Sequence, residues 1–174
     1  MSDWSGSADA STTATGGYVT ITELATHFLD DSRATAFLAA AQNLQAGYIL
    51  RATRSIDALT LRGTKYLTDG SQALEFPRTI DGVTVGDEEG NAVTPQQVKD
   101  ACCEEALALY LEQAGGGSSR AALQEAGVQS YTIPGILQES FAPSAVSGNK
   151  NGGMRSPAAY RLLSRFIARS VPIL

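Results

Sequence analysis

The fold of this chain is decided by residues 32–59, which read SRATAFLAAAQNLQAGYILRATRSIDAL. Apolar side chains recur here every three or four residues, namely Phe37, Ala41, Leu44, Tyr48, Ala52, Ile56 and Leu59. Because this spacing puts them on one face of a helix, the stretch predicts an amphipathic helix of about six turns. Gly47 is a weak point at which that helix is able to bend or split.

Two further helices are predicted from their start signals. Thr20 and Glu23 have the spacing of a capping box, which predicts a short helix from about Ile21 to Leu29. Thr94-Pro95 combines a capping hydroxyl with a proline suited to the first helical position, and predicts a helix that runs to about Ala114. We expect the three helices to share one core made of Phe37, Leu44, Tyr48, Ile56, Val98, Cys102 and Leu109.

The remaining segments are predicted to be less regular. Residues 60–93 have no clear period and contain turn pairs such as Asp81-Gly82, so we expect an irregular connection that Phe76 ties to the helices. Residues 127–141 predict a β-hairpin, because Pro134-Gly135 suits the centre of a type II turn.

These patterns predict a mainly α fold, a small helical bundle with one β-hairpin, a long irregular loop and extended N- and C-terminal arms. Four segments are expected: a flexible arm over residues 1–17, a core domain over 18–141, a linker over 142–155, and a C-terminal docking helix and tail over 156–174. The arm and the linker are rich in Ser, Thr, Gly and Asn, and such residues cannot form a core.

Charge is distributed unevenly along the chain. The formal net charge is −5, yet residues 142–174 hold five basic residues and no acid, which leaves residues 1–141 at −10. A general nucleic-acid-binding domain concentrates positive charge on its body, so this distribution argues against one. It favours a basic C-terminal arm that docks on an acidic neighbour.

Catalytic motifs are absent from the sequence. It contains no GxxxxGK[ST] loop, GxGxxG turn, GxSxG elbow, HExxH pair or CxxC pair, and His27 is its single histidine. Cys102 and Cys103 are adjacent and are expected to be reduced thiols that pack in the core. We therefore predict a protein that is not an enzyme and has no catalytic residues, metal or cofactor. No apolar stretch approaches the ~20 residues of a membrane span.

The C-terminal helix carries the candidate partner-binding residues. It begins at Ser156-Pro157 and combines an apolar stripe with arginines spaced four residues apart. The residues expected to meet a partner are Tyr160, Arg161, Leu163, Arg165, Phe166, Ile167 and Arg169. The alternative is that this helix folds back onto its own core.

The order of several short motifs resembles the head-tail connector proteins of long-tailed bacteriophages. These motifs are YVTITELATHF at residues 18–28, ATRSID at 52–57, Phe76-Pro77-Arg78, Thr94-Pro95 with Val98, Ala101, Glu105 and Ala106, residues 130–135, and YRLL at 160–163. The resemblance covers roughly residues 18–168.

This resemblance implies a structural adaptor in the neck of a virion, assembled in the host cytoplasm. Its partners would be the portal protein, a tail-side neck or stopper protein and further copies of itself in a ring, usually of twelve. Genomic DNA would pass through the lumen without specific binding. A second hypothesis is single-stranded DNA binding, by analogy to a primosomal protein. Only the basic stripe of Arg161, Arg165 and Arg169 favours that second hypothesis.

Overall fold

A computed structural model describes residues 16–86, 91–114, 130–133, 137–140 and 152–168. The helices in these ranges are α1 (Ile21–His27), α2 (Thr35–Leu38), α3 (Gln42–Asp57), α4 (Gln96–Ala114) and α5 (Pro157–Leu163). The strands are β1 (Thr64–Lys65), β2 (Arg78–Ile80), β3 (Val83–Val85), β4 (Ser130–Ile133) and β5 (Leu137–Ser140). The fold is mainly α, as predicted.

The first helix begins at the predicted capping box. The Thr20 hydroxyl accepts the Glu23 N–H at 3.0 Å, and the Thr20 N–H donates to a Glu23 carboxylate oxygen at 2.7 Å. Two amides that a helix start would otherwise leave unpaired are satisfied in this way.

The predicted long helix is interrupted, and this changes which of its residues are buried. A 3-10 turn (Ser32–Ala34) leads into α2, and the chain leaves helical geometry at Ala41, whose ψ is 140°. The buried side-chain amide of Gln45 donates to the carbonyls of Phe37, Leu38 and Ala40 at 2.9–3.1 Å. These carbonyls lie in the last turn of α2 and just beyond it, where a helix has no further N–H donors four residues ahead.

The interruption resets the register of α3, so the predicted burial of Leu44 is wrong. Leu44 is 45% exposed, whereas the neighbouring Gln45 is buried. The helix contributes Tyr48, Ile49, Ala52 and Ile56 to the core.

Helix α4 is central and packs against both α3 and α5. Its predicted apolar face of Val98, Cys102, Ala106 and Leu109 is buried, as expected. Both cysteines are free and buried, and burial raises the pKa of the Cys102 thiol to about 12. They are therefore protonated packing groups at neutral pH.

A small antiparallel sheet, in the order β1-β2-β3, lies within the segment that the sequence predicted to be irregular. Asp81 and Gly82 join β2 to β3 with positive φ angles of 52° and 80°, the conformation of a two-residue hairpin turn. Phe76 lies in the core, as predicted, with its ring centre 6.1 Å from that of Tyr18 and 5.2 Å from that of Phe166.

The predicted C-terminal hairpin is present, since β4 pairs antiparallel with β5 from Ser130↔Ser140 to Ile133↔Leu137. Its expected turn at Pro134-Gly135 lies outside the described residues. Most of the predicted N-terminal arm (1–17) and linker (142–155) lies outside them too.

The reset register predicts different costs for two neighbouring truncations in α3. Ile49→Ala should lower the free energy of unfolding by about 2–5 kcal/mol, because it opens a cavity in the core. Leu44→Ala should change it by less than about 0.5 kcal/mol, as is usual at an exposed position. Urea denaturation of both variants measures this difference. A large loss of stability for Leu44→Ala would instead support an uninterrupted helix with Leu44 in the core.

Candidate functional site

A buried carboxylate fixes the start of the C-terminal segment. Glu105 projects from α4 with no exposed surface, and it accepts the Arg155 N–H at 2.9 and 3.1 Å and the Ser156 N–H at 2.8 Å. Burial raises the pKa of the Glu105 carboxyl, and the hydrogen bonds from these two amides oppose that shift. The Ser156 hydroxyl then accepts the Ala159 N–H at 3.1 Å and caps α5.

The segment that follows is part of the protein's own core. Met154, Ala159, Leu163 and Phe166 are all buried. The prediction that Leu163 and Phe166 contact a partner is therefore wrong, because their surfaces are already covered by α4 and by Phe76. The sequence alternative, that the helix folds back onto its own core, describes residues 152–168 correctly.

The other predicted site residues lie at or near the surface. Tyr160 and Ile167 are half-buried, whereas Arg161 and Arg165 are exposed. Arg169 lies outside the described residues. Of the predicted set, the structure thus leaves two arginines and the accessible parts of two apolar side chains available for binding.

After α5 the chain runs antiparallel to the segment that follows α3. Leu61 and Ile167 form an isolated bridge, the Arg62 N–H donates to the Phe166 carbonyl at 2.8 Å, and the Ala168 N–H donates to the Thr60 carbonyl at 2.9 Å. This pairing brings Arg62 close to Arg165, although the two are far apart in the sequence.

A buried arginine holds the backbone on the Arg62 side. Arg78 donates from Nε to the Arg62 carbonyl at 2.8 Å and from Nη2 to the Gly63 carbonyl at 2.7 Å, and it forms an ion pair with Glu75. Gly63 has a φ of 71°, and a Cβ there would lie 2.0 Å from the Thr79 carbonyl oxygen, so only glycine fits. The position of Arg62 is therefore set by a rigid turn.

Arg62 and Arg165 line one cleft of about 560 Å³ together with Ser164, Ile167 and Ala168, and we call it the basic cleft. The Arg165 guanidinium lies 4.4 Å from the centre of the Phe166 ring and donates to the Gln97 side chain at 3.0 Å. Arg62 pairs with Asp81 at 2.9 Å, but Asp81 is 81% exposed, so the pair is weak and easily exchanged.

The C-terminal segment that lines this cleft carries only positively charged side chains. Residues 152–168 contain Arg155, Arg161 and Arg165 and no acid. Arg155 is engaged by Glu112 at 3.3 Å, whereas no ion pair of Arg161 or Arg165 occurs within the part of the chain that the structure describes. The guanidinium group of Arg165 is therefore available to an anion beside Arg62, and that of Arg161 is exposed on α5.

Arg62 was not predicted as a site residue, because residues 60–93 were interpreted only as an irregular connection that contains turn pairs. Nothing local indicates that Arg62 lies beside Arg165, because their proximity depends on a tertiary strand pairing. The basic stripe of Arg161 and Arg165, by contrast, was visible from their spacing.

A second charged cluster lies on α4 and is internally paired. His27 Nδ1 is 3.3 Å from Asp100, and His27 Nε2 is 3.6 Å from Glu104, which also lies 3.5 Å from Arg33. Within the described ranges no group of His, Cys, Asp or Glu side chains has the arrangement of a metal site, and no helix is long and apolar enough to cross a membrane.

The profile of one protein family, described as "Putative DnaT-like ssDNA binding protein", matches residues 8–172. Because the match spans nearly the whole chain, the protein belongs to this family. No curated protein and no solved structure matches the chain.

The family match overturns the resemblance to phage head-tail connectors. The expected role as a structural adaptor, the portal, tail-side and ring partners, and the passage of DNA without specific binding are wrong with it. The physical reason lies in the motifs themselves. The Thr20 cap, the Phe76 core contact and the Thr94-Pro95 helix start are requirements of the fold, and a fold does not specify a partner.

The Glu105 contacts predict a measurable loss in the Glu105→Gln variant. The substitution places an NH2 group, which cannot accept a hydrogen bond, against the Arg155 and Ser156 N–H groups, so the free energy of unfolding should fall by about 1–3 kcal/mol. Because the pKa of Glu105 is raised in the folded state, its contribution to stability is greatest below its ordinary value of 4.5 and declines as pH rises through the folded pKa. The difference between wild type and variant should therefore shrink with rising pH.

Glu112→Gln on the same helix is the matched control. Glu112 is 42% exposed, and in the ion pair described above it meets only the Arg155 side chain. Its replacement should therefore lower the free energy of unfolding by less than about 1 kcal/mol. Denaturant titrations from pH 4 to pH 8 compare the two variants. Equal stability of wild type and Glu105→Gln throughout would contradict the role given to Glu105.

Proposed function

We propose that this protein binds single-stranded DNA through the basic cleft and catalyses no reaction on it. The observation that carries this proposal is the meeting of Arg62 and Arg165 in one cleft, with the exposed Arg161 on the preceding helix. Membership of a family described as DnaT-like ssDNA binding proteins supports the same function.

Arginine suits this role because its guanidinium donates two parallel hydrogen bonds to a phosphate and is always charged. The Ser164 hydroxyl in the cleft is a further donor for a phosphate oxygen. The cleft is open, so a flexible strand can reach it without unfolding any part of the protein.

The overall acidity of the chain limits the expected affinity. A net charge of −5 repels DNA at long range, so binding depends on local contacts at short range. If each of the three arginines neutralises one phosphate, the logarithm of the binding constant should fall with the logarithm of salt concentration with a slope of about −2. Weak, strongly salt-dependent binding is the expected behaviour.

Arg165→Glu tests the proposal most simply. Fluorescence anisotropy of a labelled twenty-residue oligothymidylate at low salt should show binding by wild type, weakened by about 10- to 100-fold in the variant, because a charge-assisted contact is replaced by repulsion. Arg165 is exposed, so the variant should keep its thermal unfolding midpoint within a few degrees.

Arg51→Glu is the matched control, since it changes the net charge equally at another exposed arginine. Arg51 lies over the Tyr48 ring, and Tyr48 bonds to Gln113, whereas Arg165 bonds to Gln97. These two glutamines are about 24 Å apart along α4 at 1.5 Å per residue. Equal losses in both variants would mean that general charge, and not the basic cleft, governs binding.

A further inference from the structure

A second hollow lies beside the basic cleft. It has a volume of about 320 Å³ and is lined by Leu59, Thr60, Gly152, Tyr160, Ile167 and Ala168, among others. Ile167 and Ala168 line both spaces, so the hollow and the cleft are neighbours across a single short segment of backbone. We call this space the Tyr160 hollow.

The Tyr160 hollow differs in chemistry from the cleft beside it. No charged side chain lines it, and its walls are aliphatic residues, Thr60 and the partly exposed Tyr160. Gly152 helps to keep it open, since a Cβ at that position would lie 2.7 Å from a Leu59 methyl carbon and 3.5 Å from the Tyr160 ring. The hollow is therefore an uncharged space with one aromatic wall, beside a cleft that contains two guanidinium groups.

We infer that the Tyr160 hollow receives one nucleobase of the bound strand, which stacks on the Tyr160 ring while a neighbouring phosphate lies between Arg62 and Arg165. This inference rests on the proposed function and assigns the hollow a role within it. A strand of DNA alternates charged phosphates with apolar base faces, and the cleft and the hollow present complementary surfaces in the same order.

The occupant is argued from charge complementarity. An apolar side chain of a protein partner would also fit the hollow, but nothing requires such a side chain to have a negatively charged group beside it. Every base of a DNA strand, by contrast, lies next to a phosphate. Every base can stack on an aromatic ring. The hollow should therefore strengthen the binding of a strand that carries bases relative to an abasic strand, without preference for a sequence. Tyr160 is partly buried against the core, so its ring is already oriented and loses little freedom on binding.

The test compares two variants of Tyr160, each with two oligonucleotides. Tyr160→Phe keeps the ring, whereas Tyr160→Leu keeps apolar volume and removes the ring. Each protein is titrated at low salt with a labelled oligothymidylate and with a strand of equal length whose central residues are abasic, so that the phosphates remain and the bases do not. Arg165→Glu is titrated in parallel, and thermal unfolding confirms that every variant is folded.

Wild type and Tyr160→Phe should bind the oligothymidylate about 5- to 150-fold more tightly than the abasic strand, the range expected for one stacked base. Tyr160→Leu should lose most of this preference while still binding the abasic strand as wild type does. Arg165→Glu should bind both strands more weakly and keep the preference, because it loses a phosphate contact only.

Failure of the inference about the hollow and failure of the proposed function give different results. If wild type binds both strands equally, or if Tyr160→Leu keeps the preference, the base is not in the hollow and the inference is overturned while DNA binding stands. Equal binding is also the result expected if the hollow serves a protein partner. If wild type binds neither strand at low salt, the proposed function itself fails.

Discussion

The buried Glu105 carboxylate is the constraint on which the rest of the site depends. A carboxyl group removed from water needs hydrogen-bond donors, and here the amides of residues 155 and 156 supply them. Those donors belong to the start of α5, so satisfying Glu105 fixes the C-terminal segment against α4. The pairing of residues 60–62 with residues 166–168, and hence the meeting of Arg62 with Arg165, follows from that placement.

The same placement reconciles an acidic protein with an acidic ligand. The carboxylates of α4 are matched by internal partners, as with His27 and Arg33 against Glu104, or by backbone amides, as with Glu105. The C-terminal segment adds arginines without acids. Arg165 lies at the N-terminal end of α4, where it donates to Gln97, whereas Arg155 pairs with Glu112 near the other end of that helix. Local positive charge is thereby concentrated where the backbone is held rigidly, by Arg78 on one side and by the core residue Phe166 on the other.

Much of the fold could be predicted because its signals are local. The Thr20 capping box, the Thr94-Pro95 start and the burial of Phe76 each depend on a few neighbouring residues. The break at Ala41 could not be predicted, because alanines favour a helix and the interruption is stabilised by Gln45 reaching back to three carbonyls. Leu44 was assigned to the core for that reason alone.

The site was less predictable than the fold because it is tertiary. Spacing identified Arg161 and Arg165 as a basic stripe, but it equally suggested that Leu163 and Phe166 faced a partner. The burial of Glu105 and the pairing of residues 60–62 with residues 166–168 decide which face of the C-terminal segment packs against the core. Arg62 has no sequence signal at all, since its role depends on a residue distant in the chain.

Backbone amide hydrogen exchange, measured with and without saturating oligothymidylate, tests the central claim most directly. Single-stranded DNA in the basic cleft should slow exchange of the amides at residues 60–62 and 164–168, and leave the opposite end of α4, at residues 110–114, unchanged. Protection confined to residues 110–114 and to the neighbouring face of α3, with residues 60–62 and 164–168 unaffected, would contradict the account.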